Sequence, residues 1–334
     1  MLKSGILHMV LMALALWTAI ATGCTGRFLA PSSPPADIRT EHLAVVTVAE
    51  QDTLESLARS HLGDAGEAWR IAQYNQVQRA QMGQRLVIPL QPVAPGGLRP
   101  DGYQVVPILF YPRIGPEKGS PRGVPVRIFE AQLQFLRENG YETVSLAHLT
   151  AFLSLSAPLP PKAILITFDS AEPWVFEIAY PILKRNGFSA ALFVPTGQIG
   201  TPRRLDWKTI AAMAAEGFDI GTSGVSARPL KRSAKQNPED YLGRVEEEIT
   251  LSQKAIARNL NMAATFFAYP GGLTSDLVIA LLKKHGFSGA LTQTSGENPF
   301  FADNFKLRRT IVSAQDPEAY FRQSLTTFHT VDLQ

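Results

Sequence analysis

Residues 163–170 read Ala-Ile-Leu-Ile-Thr-Phe-Asp-Ser (AILITFDS), six β-prone and mostly apolar residues followed by a carboxylate and a hydroxyl. Such an apolar β-rich run reads as a strand. The polar pair falls where that strand ends. The same pattern recurs outward from it. Apolar β-rich runs lie at 105–110, 190–194, 218–220, 265–268, 287–291 and 310–312. Helical stretches at 129–139, 147–155, 174–186, 207–216, 240–260, 275–285 and 317–326 accompany them. This alternation predicts an α/β fold with parallel strands joined by helical crossovers, either an open doubly wound sheet or a barrel. Seven-odd units in roughly 230 residues favour the barrel, whose functional groups stand on the loops after the strands. Those loops carry Asp169-Ser170, the run 221–227 (GTSGVSA), and Tyr269-Pro270-Gly271-Gly272.

The 334 residues are 45% apolar and 18% charged, with 25 Gly and 24 Pro, which excludes a coiled coil and a wholly disordered chain. A net charge of +3, from 32 basic and 29 acidic residues, gives no general footprint for nucleic acid. One cysteine, Cys24, excludes an intramolecular disulfide and a thiolate metal cluster. The six histidines are His8, His42, His61, His148, His285 and His329.

Lys3 and the apolar run Ile6–Ile20 suit a signal-peptide core, and Ala21-Thr22-Gly23-Cys24 resembles a bacterial lipobox. The expectation is a leader over 1–23, lipidation of Cys24 and anchoring on the periplasmic side of the cell envelope. The alternative is an uncleaved membrane anchor. Thr25, where an Asp would suggest inner-membrane retention, points to the outer membrane. Residues 24–42 are rich in Pro and Ser and read as a tether.

Residues 43–90 read strand, helix, helix, strand. Val45–Val48 is β-branched; Asp52 with Glu55 forms a capping pattern for a helix that ends at Gly63; a second helix carries Trp69, Ile71 and Tyr74 and stops near Asn75. With its DTL, W..I...N and GQ.L.IP fragments in order, this run resembles a LysM module, a βααβ domain that binds N-acetylglucosamine-containing glycans such as peptidoglycan. The resemblance implies a groove between Asp52-Thr53-Leu54 and the loop from Asn75 onward. Gln51 departs from the Gly usual there. The competing reading has Asp52 only capping and Trp69 only packing, with the module a spacer. A second Pro/Gly-rich linker covers 91–103.

Residues 104–328 form the large domain. Its stretches VVPILFYPRIG, LPPKAILITFDS, AYPILKRNGFSAALFVPTGQIG, LDWKTIAAMAAEGFDIGTS, FAYPGG and LRRTIV together resemble the polysaccharide deacetylase (NodB-homology) family. That resemblance implies a distorted (β/α) barrel and deacetylation of N-acetylglucosamine units. It also implies a divalent metal such as zinc, held by one Asp and two His beside a second Asp that acts as base. Asp169 matches the base. Ser170 stands at the metal-binding Asp, Ser223 and Ala227 at the two histidines, and Pro112 at a further histidine. Hydroxyls are poor zinc ligands and Ala is none. The expectation is therefore no cofactor, and an inactive domain that binds glycan or acts as a scaffold. The alternatives are an active deacetylase with a displaced metal and a protein-partner regulator of an envelope enzyme. His148 and His285 fall on helices, which leaves His329 as the histidine placed to fold back over the mouth. Gly221–Val225 breaks the G-x-S-x-G nucleophile spacing, and Glu172 is a lone nearby carboxylate.

Tyr269, Pro270, Gly271 and Arg309 are expected on the substrate side, with Arg309, which resembles a family arginine that orients the base, pairing with Asp169. Arg228, Lys231, Arg232 and Lys235, with Arg203-Arg204, make the mouth basic and point to an anionic glycan or glycopeptide. A solvated, solubilising loop is the competing reading.

Overall fold

The computed structural model describes residues 37–40, 43–90, 95–98, 102–115 and 123–331. Cys24, the leader and most of the tether lie outside the described residues. Among the described residues no helix is long and apolar enough to cross a membrane. The chain divides after Ile88 into two compact units.

The smaller unit follows the βααβ order: β2 (Leu43–Thr47), α1 (Leu54–Leu62), α2 (Ala68–Asn75) and β3 (Arg85–Pro89). Alternation along β2 buries Ala44 and Val46 against Leu57, Ile71, Leu86 and Ile88. Before it, Ile38–Arg39 forms β1, antiparallel to β2 with Ile38 opposite Val45. The tether read over 24–42 therefore ends in an edge strand, because the backbone donors of β2 are open to pairing there.

The larger unit starts with β4 (Gly102–Val106) and β5 (Ile108–Phe110), then the short parallel pair β6 (Ile114–Gly115) and β7 (Val124–Pro125). The run read as one strand is split at Pro107, which has no N–H for a ladder. There follow α3 (Val126–Glu138), β8 (Glu142–Thr143), α4 (Leu146–Leu153) and β9 (Ala163–Phe168). A π-helical turn, Val175–Ala179, leads into α5 (Tyr180–Arg185). Then come β10 (Ala191–Val194), α6 (Trp207–Ala215), β11 (Asp219–Thr222), α7 (Pro238–Leu260) and β12 (Phe266–Ala268). The unit finishes with α8 (Asp276–Lys284), β13 (Gly289–Leu291), β14 (Asn298–Pro299), β15 (Thr310–Ile311), α9 (Glu318–Gln323) and β16 (Phe328–Thr330).

The strands form a curled parallel half-barrel in the order β13-β12-β11-β10-β9-β5-β15, with β8 beside β9. A parallel bridge from Leu291 to Leu307 brings the far edge against the segment that leads into β15. Every residue of β9 is buried. Ile164, Ile166 and Phe168 pack with the helix faces, including Phe129, Leu133 and Leu183, while Leu165 packs with Phe193, Ala268 and Leu291 from the neighbouring strands. The end of the second linker is also structured: residues 95–97 seat so closely on β4 that a Cβ at Gly97 would overlap Gln104.

β4 pairs on its two sides with β14 and β16. This places His329 opposite Tyr103, near the start of β4 and away from the loops that follow the barrel strands. His329 therefore does not fold back over the mouth; its imidazole lies 3.7 Å from Glu297.

Candidate functional site

The two-residue period of β9 puts Leu165, Thr167 and Asp169 on one face. Thr167 is buried and its hydroxyl donates to the Leu109 carbonyl at 2.9 Å. Asp169 emerges just past the strand end. Arg309, fully buried, donates from Nη1 and Nη2 to its two oxygens, each at 2.7 Å. The Arg309 Nε donates to the Thr292 carbonyl at 2.7 Å, and the guanidinium lies 4.3 Å from the centre of the Phe110 ring. Such a two-pronged pair is directional and well shielded from water, and it engages both carboxylate oxygens. Arg309 thus pairs with Asp169 as expected, but its burial corrects the expectation that it contacts substrate.

Asp169 lines a cavity of about 300 Å³ together with Ser170 and Ala227, and Pro112 lies in the same wall. Residues far apart in sequence are therefore gathered around one cavity. Ser223 is the exception: it follows β11, is buried, donates its backbone N–H to Val194, and does not line the cavity. Its strand is drawn tightly inward by Gly221, where a Cβ would sit 2.5 Å from Phe193. The loop beyond is held by Glu248 of α7, whose Oε2 accepts the N–H groups of Val225 and Ser226 at 2.7 and 2.9 Å. Ala227 ends it in the left-handed region, with φ of 58°.

A second carboxylate organises the rest of the cavity. Glu172 Oε2 lies 3.1 Å from Arg113 Nη1 and accepts the Trp174 indole N–H at 3.1 Å. Its other oxygen is 3.6 Å from Arg204 Nη1, while Arg204 Nε donates to Gln198 Oε1 at 3.2 Å. The Ser170 hydroxyl accepts the Glu172 N–H at 3.0 Å. These pairs are partly exposed, with side-chain accessibilities of 51% for Arg113, 33% for Arg204 and 31% for Glu172. Pairs of that kind are worth only about 0.2–1 kcal/mol each. Arg113 lies within the quoted VVPILFYPRIG stretch and Glu172 was noted as a lone carboxylate near Asp169, but neither carried a sign that they would pair.

Several expected residues stand elsewhere. Tyr269 is fully buried against Phe267 and Val278, and its hydroxyl donates to the Phe305 carbonyl at 2.9 Å. Burial pushes its phenol up to about 12. Pro270 is buried, Gly271 turns at φ 68° near Pro229, and neither lines the cavity. These three shape the loop after β12 and do not line the cavity beside Asp169. Of the basic set, Arg204 lines the cavity, and Arg228 is the exposed neighbour of lining Ala227. Lys231 and Arg232 are exposed, and Arg232 donates from Nε and Nη2 to the Gln236 carbonyl, closing its own loop.

The donor set does not fit a zinc-type ion. Asp169 is held by Arg309 and Glu172 by two arginines and an indole, and Ser170 and Ala227 add no anionic or imidazole ligand. His285 is 2.8 Å from Glu246, on helices outside the cavity lining. Among the described residues no group of three His, Cys, Asp or Glu is placed to hold a metal ion.

In the smaller unit Thr53, not Asp52, caps α1: its hydroxyl accepts the Ser56 N–H and Ser56 Oγ accepts the Thr53 N–H. Asp52 instead accepts the Ala49 N–H at 2.8 Å and closes the preceding turn. Leu54 is buried, and Asn75 clasps β3 through the Val87 N–H and carbonyl. The side chains expected to meet glycan therefore serve the fold. The two loops nevertheless lie side by side, joined by Gly83 N–H to Val48 O at 2.8 Å and Val48 N–H to Gln84 O at 2.9 Å.

Residues 156–290 match the family model described as polysaccharide deacetylase. The chain is 26% identical over 208 residues to the YxkH protein of Bacillus subtilis, covering 62% of this chain and 71% of that one. It is 25% identical over 192 residues to the poly-β-1,6-N-acetyl-D-glucosamine N-deacetylase of Staphylococcus epidermidis, covering 55% of this chain and 66% of that enzyme. The chain thus spans about two thirds of the length of these relatives. Among solved structures, a Streptococcus pyogenes deacetylase, PplD, superposes with a TM-score of 0.61 at 23% identity, over 66% of this chain and 98% of that one. IcaB from Ammonifex degensii gives 0.60 at 24% identity, over 68% and 98%. The curled half-barrel is the fold these structures share with this chain.

Proposed function

We propose that this chain, whose residues 156–290 match the polysaccharide deacetylase family model, is a cell-envelope glycan-binding protein whose deacetylase-like domain no longer runs metal-dependent hydrolysis. One observation carries this reading. The cavity beside Asp169, the residue that resembles the family's base, is lined by Ser170 and Ala227, which offer a metal no anionic or imidazole ligand. A metal-activated water needs about three protein ligands, and this wall does not supply them. Relatives whose names specify a substrate act on poly-N-acetylglucosamine, so the ligand proposed here is an N-acetylglucosamine-containing glycan such as peptidoglycan.

The smaller unit, in this reading, is a LysM module that adds a second grip on the same glycan. Its contacts come from the backbone of the two adjoining loops, since Asp52, Thr53, Leu54 and Asn75 are occupied internally. Cys24 supplies a lipid anchor on the periplasmic side, at the outer membrane.

The test uses the full chain purified in detergent. Metal content is measured, acetate release is followed from chito-oligosaccharide and peptidoglycan with added zinc or cobalt, and co-sedimentation with insoluble peptidoglycan is scored. Co-sedimentation without acetate release is the expected result. Stoichiometric metal together with turnover abolished by Asp169→Asn would overturn it. The triple change Ser170→Asp, Ser223→His and Ala227→His should restore metal binding if ligand loss alone silenced the site.

A further inference from the structure

The cavity beside Asp169 already holds a carboxylate, and the way it is held describes what else would fit. One Glu172 oxygen receives Arg113 and the Trp174 indole, and the other faces Arg204. Two guanidinium groups and one neutral donor converging on a single carboxylate form a recognition arrangement for that group. The two ion pairs of the cavity differ in kind. Asp169–Arg309 is doubly hydrogen-bonded, with Arg309 wholly inaccessible and Asp169 mostly covered, so this pair is little screened and exchanges reluctantly. Glu172 and its arginines are partly exposed, so water and salt screen them and the pairing is readily exchanged.

The charges point the same way. Asp169 and Arg309 cancel, and Glu172 offsets only one of Arg113 and Arg204. One positive charge is left over in this group, and the chain neighbours Arg203 and Arg228 add exposed cations beside lining residues. With room of about 300 Å³, the cavity suits a single sugar ring bearing an acid.

Resting on the glycan-binding reading, we propose that this cavity binds a carboxylate carried on a sugar, which displaces Glu172 from Arg113 and Arg204. Glu172 is then an internal stand-in for the ligand that keeps the arginines paired until the ligand arrives. A neutral N-acetylglucosamine unit makes no such exchange, so the acid becomes the feature that selects among glycan units.

Trp174 gives a local readout, because its indole N–H loses its acceptor when Glu172 leaves. The full chain, labelled at tryptophan nitrogen in detergent, is titrated with N-acetylmuramic acid and with its methyl ester, and the Trp174 indole signal is assigned by Trp174→Phe. The acid should shift that signal saturably, with the ester at least about tenfold weaker. Glu172→Gln should tighten the acid severalfold by removing the competitor, and Arg204→Gln or Arg113→Gln should weaken it about tenfold. Thermal melts of each variant check folding, and the arginine variants keep the test decisive if Glu172→Gln does not fold. Equal titration by acid and ester, weaker binding in Glu172→Gln, or an unmoved indole signal in a chain that still co-sediments with peptidoglycan overturns this inference and leaves the glycan-binding reading standing. Loss of co-sedimentation altogether overturns the reading beneath it.

Discussion

Asp169 and Arg309 are the clearest pair in the molecule, and their energetics follow from burial. Arg309 is fully buried with Asp169, Thr292 and the Phe110 ring around it. Removing Asp169 leaves the Arg309 charge buried and unmatched, which costs about 3–5 kcal/mol, whereas removing Arg309 strands a carboxylate that is partly exposed to the cavity. Arg309→Met should therefore destabilise the larger unit in urea unfolding by about 3 kcal/mol or less. Adding Asp169→Leu should recover much of the loss, since the stranded carboxylate is gone; strict additivity of the two changes would show that the pair is not coupled. The pairing was legible in sequence through the alignment of LRRTIV. The clamp on Glu172 was not, because Arg113, Glu172 and Arg204 meet only when three separate loops converge.

Helix termini and strand starts show how elements are fastened. Thr53 and Ser56 form the reciprocal cap of α1, so Thr53→Ala should cost about 1 kcal/mol in chemical unfolding of the smaller unit. Glu55, exposed in the first turn, should cost only a few tenths when replaced by Ala. The sequence pattern pointed to Asp52 and Glu55 instead. Both Asp52 and Thr53 are competent cap residues, and what separated them was that Asp52 had a turn to close at Ala49. At the start of β11, Asp219 is half-buried and accepts the Leu146 N–H at the head of α4, and desolvation raises its carboxyl above the usual 3.8. Because the folded value is raised, the native state holds this proton more tightly than the unfolded chain does. Its contribution to stability is full below about 3.8 and is lost as pH rises through the folded value. Asp219→Asn, which still offers an oxygen to Leu146, should flatten that decline and be more stable than the parent at neutral pH. Denaturant midpoints across the acid-to-neutral range give the answer, and an unchanged slope would refute it.

At the scale of the whole molecule, the chain contains a small unit and a large one. A unit of about fifty residues buries little of its surface and is only marginally stable. Unfolding of the full chain should therefore show two transitions by calorimetry, the lower matched by residues 37–90 expressed alone; one shared transition would mean that the units stabilise each other. Much of this organisation was readable beforehand. Local periodicity determined the βααβ order and the alternation of strands and helices, because apolar spacing and secondary structure share the same two periods. The expectation that Ser170, Ser223 and Ala227 replace metal ligands came from the family resemblance and not from periodicity. Only the tertiary structure decided which side chains have free atoms left to act. It committed Tyr269 to Phe305, Asn75 to Val87 and His329 to the edge of β4, and it turned Glu172 from a lone carboxylate into the occupant of a two-arginine cavity. The reason is physical: a sequence specifies what a residue can donate or accept, whereas folding fixes which partner reaches it first.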